Sequence, residues 1–280
     1  GQVLNTFPTS FYIRTASNEL LFVTNRSLRS PITVNIDSGS NFDQTIRPSQ
    51  PVQFEKEKIR LGSDATIDLS DASNCNAQSN MTDEASPEFA GMKGALQSVS
   101  FILRIIDTSQ SALDPNGLAY RGTRNLALHG VLPLREPGGE HQFRNAALKA
   151  VGLGSGFTPA GDDMLGGFLA LYNSLAKTVQ RRPIVFDFTV LQARTSWISA
   201  KLLDYMQRVI VDEQIDSVVD AAARGKHETL VLSLETLFPR GHTSGIDISA
   251  GAILALSLLR DIALHRQETE TILSGLGFEA

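Results

Sequence analysis

Cysteine is nearly absent. Cys75 is the single one in 280 residues, so no disulfide can form within the chain. Secreted chains of this kind usually carry several, so the scarcity points to a reducing, cytoplasmic setting. Cys75 itself sits in a polar stretch with no nearby base and reads as an incidental loop thiol. Long apolar runs are also missing. The longest uncharged apolar stretches, 164–176 and 248–259, fall short of the ~18–20 residues that span a bilayer. They read as buried core helices, and no membrane partner is expected. No basic and apolar signal segment follows the Gly1-Gln2 start. Runs of Lys and Arg interleaved with aromatics do not occur, and the formal charge is −5, so nucleic acid is not an expected partner. His129, His141, His227 and His265 show no metal-ligand spacing.

What is present belongs to an ordinary globular protein: 42% of residues are hydrophobic and 20% charged. The length suits one large domain or two ordinary ones. Short β-branched and aromatic segments at 11–15, 20–24, 32–36, 51–61 and 65–69 predict strands, with a tight turn at 62–64. Asn, Ser, Asp and Ala then dominate to Pro87, and helical patterns follow. Phe89, Met92, Leu96, Val99 and Leu103 recur at the three-and-four spacing of one helical face. Helices are expected at 88–106, 142–151, 158–177, 188–208, 215–224, 227–238 and 247–267, with an irregular stretch at 107–139 that could drape over a site. The expected fold class is therefore α+β. A β-rich small barrel or sandwich (1–71) leads through a polar linker or loop (72–87) to an all-helical domain (88–280).

The most informative segment runs from Gly152 to Asp163. Gly152, Gly154 and Gly156 allow positive φ and can gather bare N–H groups into a concave donor surface. Thr158 suits an N-cap, Pro159 the first helical position, and Gly161 the first turn. A glycine loop feeding a helix start is an anion site in waiting, since the macrodipole and the unpaired N–H groups point the same way. The spacing fits neither the dinucleotide fingerprint nor the Walker A loop. A second start, Gly241-His242-Thr243-Ser244-Gly245-Ile246-Asp247, also precedes an uncharged helix. Gly166/Gly167 in the first helix parallel Ala250/Gly251 in the second. The parallel predicts that the helices pack at these small residues with both starts at one cleft. Starts more than about 15 Å apart would exclude a shared small ligand.

Such a cleft would gather Thr158, Thr243, Ser244 and Gly245 with the loop glycines as substrate or anion-binding groups. Asp162, Asp163 and Asp247 would be candidate ligands for a hard cation such as Mg²⁺. Asp163 and His242 are the catalytic candidates, His242 as a base or as a stabiliser of developing charge. Thr195, Ser196 and Ser199 could line the same cleft, and Arg121 and Arg124 could clamp a carboxylate.

The stretch GLGSGFTPAGDDMLGGFLA resembles the signature of a bacterial family catalogued as domain of unknown function 2877, which runs close to GLGPGLTPSGDDFLAGFLA. TSWISAKLL and GHTSGID follow in the family's order, and the similarity spans Gly152 to Gly251. Ser155, Ala160 and Met164 depart from it, standing where the family has Pro, Ser and Phe; no glycine, aspartate or histidine of the pattern is lost. Members include the third subunit of oxamate carbamoyltransferase from anaerobic allantoin degradation. The resemblance implies a subunit of a hetero-oligomer that moves a carbamoyl group between oxalurate and phosphate, giving oxamate and carbamoyl phosphate. Two alternatives stand beside it: a noncatalytic anion-binding module for regulation or assembly, and a metal-dependent amide or ureido hydrolase.

Overall fold

The computed structural model describes residues 1–39, 41–63, 65–74 and 87–279. The expected linker (72–87) lies largely outside the described residues, as does Cys75. The chain divides into two compact units, Gly1–Ser79 and Asn80–Ala280.

In the first unit, strands β1 (Gln2–Phe7), β2 (Ser10–Arg14) and β3 (Leu20–Thr24) form an antiparallel meander, and β4 (Thr33–Asn35) joins β3 in parallel. A one-turn helix, α1 (Phe42–Thr45), follows. Strands β5 (Val52–Phe54), β6 (Lys58–Leu61) and β7 (Ala65–Asp68) make a second, antiparallel sheet. Alternation supplies the buried face: Ile59 and Leu61 point inward on β6 while Lys58 and Arg60 stay in water. Both sheets contribute to one core, with Val3, Phe11, Ile13 and Val23 from the first and Val52, Ile59 and Leu61 from the second. Among the described residues the two sheets form no closed barrel, and a Gln2–Pro51 bridge links their edges.

The sequence pattern misplaced some boundaries here. The single strand expected at 51–61 is a hairpin whose turn carries Glu55, Lys56 and Glu57, and β1 was not anticipated. A charged turn without Gly, Pro or Asn gives no conventional break.

The second unit is helical. Its elements are α2 (Met92–Ile105), α3 (Tyr120–Leu126), α4 (Glu140–Ala150), α5 (Ala160–Leu175), α6 (Phe188–Gln192), α7 (Trp197–Gln207), α8 (Glu213–Ala223), α9 (His227–Leu237), α10 (Ser244–Leu264) and α11 (Thr269–Gly275). The 188–208 helix is thus two. Ser196 starts the second by accepting the Ser199 N–H on its side chain. Helices α5 and α10 form the centre. Every residue from Ala160 to Asn173 and from Gly245 to Asp261 is buried, which is why neither shows a strong polar face. Helices α2, α9 and α11 pack on α10, and α3, α4, α7 and α8 pack on α5. Among the described residues no helix is long and apolar enough to cross a membrane.

Candidate functional site

The two central helices cross at glycines. A Cβ on Gly251 would lie 1.9 Å from the Met164 carbonyl oxygen, and one on Gly167 would lie 2.1 Å from that of Ile248. Backbone therefore meets backbone at the crossing, as the small residues predict. Seven residues earlier on each helix, the starts converge. Thr158 Oγ1 lies 3.3 Å from Ser244 Oγ, far inside the separation that one small ligand requires.

The three loop glycines take the expected positive φ, at 82°, 121° and 105° for Gly152, Gly154 and Gly156. Their amides do not all face outward. Gly152 N–H donates to Asp162 Oδ1 at 2.7 Å, Gly161 N–H to the Leu153 carbonyl, and Gly245 N–H to the Arg240 carbonyl. A Cβ on any of these three would strike a backbone oxygen within 2.2 Å. They serve close packing, and their amides are engaged within the chain. Among the described residues no acceptor meets the N–H groups of Gly154, Ser155 or Gly156.

Thr158 also differs from expectation. Pro159 occupies the N-cap position of α5, with no side-chain cap. The Thr158 hydroxyl instead donates to Asp163 Oδ2 at 2.8 Å. Thr243 holds the N-cap position of α10, again without a side-chain cap.

The aspartates separate into two roles. Asp162 accepts from Gly152 N–H and from the hydroxyls of Thr195 and Ser199, the latter at 2.6 Å. It ties the glycine loop to the start of α7, and burial raises its pKa against the pull of those donors. Asp163 and Asp247 are only 8% and 0% exposed, and the charge of Asp163 acts on Asp247. Burial pushes each up to about 7, with smaller upward pushes from Asp162 on Asp163 and from Asp163 on Asp247. Hydrogen bonds from Ser244 and Thr158 and the charge of Arg240 pull Asp163 partly back. Asp247 Oδ1 accepts the Ala112 N–H at 2.7 Å, while Oδ2 is buried without a partner. The hydroxyls of Ser111 and Thr243 are within hydrogen-bonding reach of this carboxylate and lower its pKa in part.

Among the described residues no group of three or more His, Cys, Asp and Glu is placed to hold a metal ion. With both Asp162 oxygens committed to loop and hydroxyl donors, the three-aspartate cation set is not assembled. His242 is exposed on the turn before α10, and its charge acts on Asp107. It is not among the groups that shift Asp163 and Asp247.

Comparison with known families bears on this geometry. A model of the family described as oxamate carbamoyltransferase subunit AllH matches residues 150–256, and one of the AllH family N-terminal domain matches residues 1–75. The chain belongs to the AllH family. No curated protein and no solved structure gave a match. The AllH match opens at the glycine loop and closes within α10, so it encloses both helix starts and their crossing.

Several contributors lie outside that AllH stretch or carried no motif. The segment 107–114, expected only as an irregular drape, does cover the site. Ala112 bonds Asp247, Gln110 meets Ser155 at 3.3 Å, and the Thr123 hydroxyl holds the Ala112 carbonyl at 2.8 Å. Arg240, whose charge reaches Asp163, is gripped at 2.5 Å by Asp212, the N-cap of α8. Nothing local in the sequence marks either residue, because each acts through partners about thirty or more positions away. Arg124 donates to the Glu279 carbonyl, which removes it as a ligand clamp; Arg121 is exposed.

Proposed function

We propose that this chain is the anion-binding subunit of a carbamoyltransferase of the oxamate type, working in the cytoplasm with partner subunits. The reaction in this reading moves a carbamoyl group between oxalurate and phosphate, giving oxamate and carbamoyl phosphate. One observation carries it: two helix starts meet at Thr158 and Ser244 over a buried carboxyl pair, beside unengaged loop amides. Amide donors and helix starts suit small anions, and a carboxyl pair that titrates near neutrality can take up or release a proton during transfer. Asp163 is the catalytic candidate that fits this role; the exposed His242 would contact only the outer part of a ligand.

A noncatalytic module is the second reading, favoured by the exposure of His242 on the turn before α10. A metal-dependent hydrolase draws less support, since the three aspartates do not form a ligand set. Mg²⁺ takes only one or two carboxylates when substrate phosphate completes its shell, so it belongs in the same titration.

The test is thermal stabilisation by phosphate, carbamoyl phosphate, oxamate and oxalurate, each with and without Mg²⁺. A ligand at about 100 times its Kd adds ~2.7 kcal/mol, a shift of a few degrees at this size. Shifts lost in Asp163→Asn support the site. With partner subunits added, loss of transfer in that variant supports the transferase, and retained transfer supports the module. No shift with any ligand would remove the anion site.

A further inference from the structure

Helices α5 and α10 start side by side, and they also finish side by side. Residues at and just past their C-terminal ends line a cavity of about 740 Å³, together with Pro87 and Phe89 ahead of α2. It lies a helix length from the paired starts, about 24 Å for the sixteen residues of α5. Three of its lining residues are basic: Lys177, Arg181 and His265. None is acidic; Glu88, between Pro87 and Phe89, packs its Cβ toward the Gly225 turn instead. Among the described residues no carboxylate forms an ion pair with any of the three. Arg181 gives one N–H to the Arg135 carbonyl at 2.5 Å, and Lys177 and His265 are exposed.

Cations at a helix C-terminus ordinarily offset its dipole, which amounts to about half a charge per helix. Here the helix ends are already closed by backbone. The Ala176 carbonyl takes the N–H groups of Gln180 and Arg181, and that of Asp261 takes those of His265 and Arg266. Lys177 and Arg181 alone therefore exceed what two helix ends require, and the cavity is left with positive charge unspent. Its volume falls in the range of small-molecule sites and is far larger than one phosphate needs. Phe89, Val179 and Ile262 add an apolar wall beside the cations. We propose that this cavity binds a polyphosphate anion, its phosphates held by Lys177, Arg181 and His265. A base attached to that chain would lie on the wall of Phe89, Val179 and Ile262. Lys and Arg are the side chains suited to phosphate oxygens. The site is separate from the cleft at Thr158 and Ser244, and it stands whether or not that cleft binds substrate.

The experiment is calorimetric titration of the full chain with pyrophosphate and with ATP, both without divalent cations. Wild type is expected to bind both. Lys177→Glu should weaken binding at least tenfold, and Arg181→Gln, which keeps a donor for the Arg135 carbonyl, should weaken it severalfold. Lys56→Glu makes the same charge change on an exposed turn of the first unit and should leave the affinity unchanged. ATP tighter than pyrophosphate by tenfold or more would support the proposal with a nucleotide as ligand; equal affinities would support it with the phosphate chain alone. No binding of either by the wild type would overturn it. So would binding that survives Lys177→Glu and Arg181→Gln intact, or that falls equally in Lys56→Glu. Oxamate titrated into Lys177→Glu reads the other cleft separately, so failure of one site is distinguishable from failure of the other.

Discussion

Asp163 and Asp247 are ionisable groups placed where ionisation is expensive, and that sets the pH response of the folded chain. Their folded pKa values, near 7, exceed the ordinary aspartate value of 3.8. Between about pH 4 and 7 the folded protein therefore binds more protons than the unfolded one, so stability falls as pH rises through this window. Urea midpoints should increase on going from pH 8 to pH 5. Asp163→Asn and Asp247→Asn should each flatten that slope, and an unchanged slope in both would contradict the assignment. Asp162 behaves differently because its partners depend on it. Asp162→Ala strands the Gly152 amide and two hydroxyls, at ~1–3 kcal/mol for each donor left unpaired. We expect a loss of about 3 kcal/mol by urea unfolding, partly recovered in Asp162→Asn. At this scale the aspartates, Thr158 and Ser244 were legible, since they sit in glycine-rich helix starts whose chemistry is local. The roles of Gly152, Gly161 and Gly245 were not. Positive φ and close packing leave the same residue in the sequence, and only the position of a neighbouring carbonyl separates them. The sequence neighbours of His242 mark it as a site residue but say nothing of its exposure.

The crossing of α5 and α10 is where element geometry decides. Gly251→Ala and Gly167→Ala each drive a methyl into a carbonyl that cannot rotate away. The helices must part, and each variant should lose about 3 kcal/mol, the upper range for overpacking. Gly94→Ala on α2 is the control: nothing lies within 4 Å of its added Cβ, and it should gain ~0.5–1 kcal/mol from helix propensity. Equal effects at all three positions, measured by urea midpoint, would mean that the crossing is looser than described. Helix α2 was legible through its one-sided apolar spacing. Helices α5 and α10 were legible through length and lack of charge, as elements buried on all sides are. The division of 188–208 was hidden because Ser196 reads equally well inside a helix or at its cap. Helices α3 and α11, seven residues each, are too short for periodicity to assert itself.

The chain as a whole holds two separate apolar cores, one per compact unit. Each core is expected to melt on its own. Trp197, the single tryptophan, belongs to the helical unit. Its fluorescence should therefore report that unit alone, and phosphate should raise the Trp197 transition while leaving the other unmoved. One coincident transition, shifted entire by phosphate, would show that the units unfold together. The two-part organisation was legible from the change in residue pattern near position 70, whereas the segment over Asp247 was not, being irregular in sequence and held by contacts 135 positions away. The backbone contact at Gly167 and Gly251 has a consequence for how this molecule can change. It acts as a fixed caliper: with no side chain at this contact to shrink, the gap between Thr158 and Ser244 cannot be narrowed by trimming the core, and widening it at Gly167 or Gly251 costs stability. A relative that handles a larger or smaller ligand must therefore differ in the two covering loops, 107–114 and 152–158, and keep the same aperture beneath them.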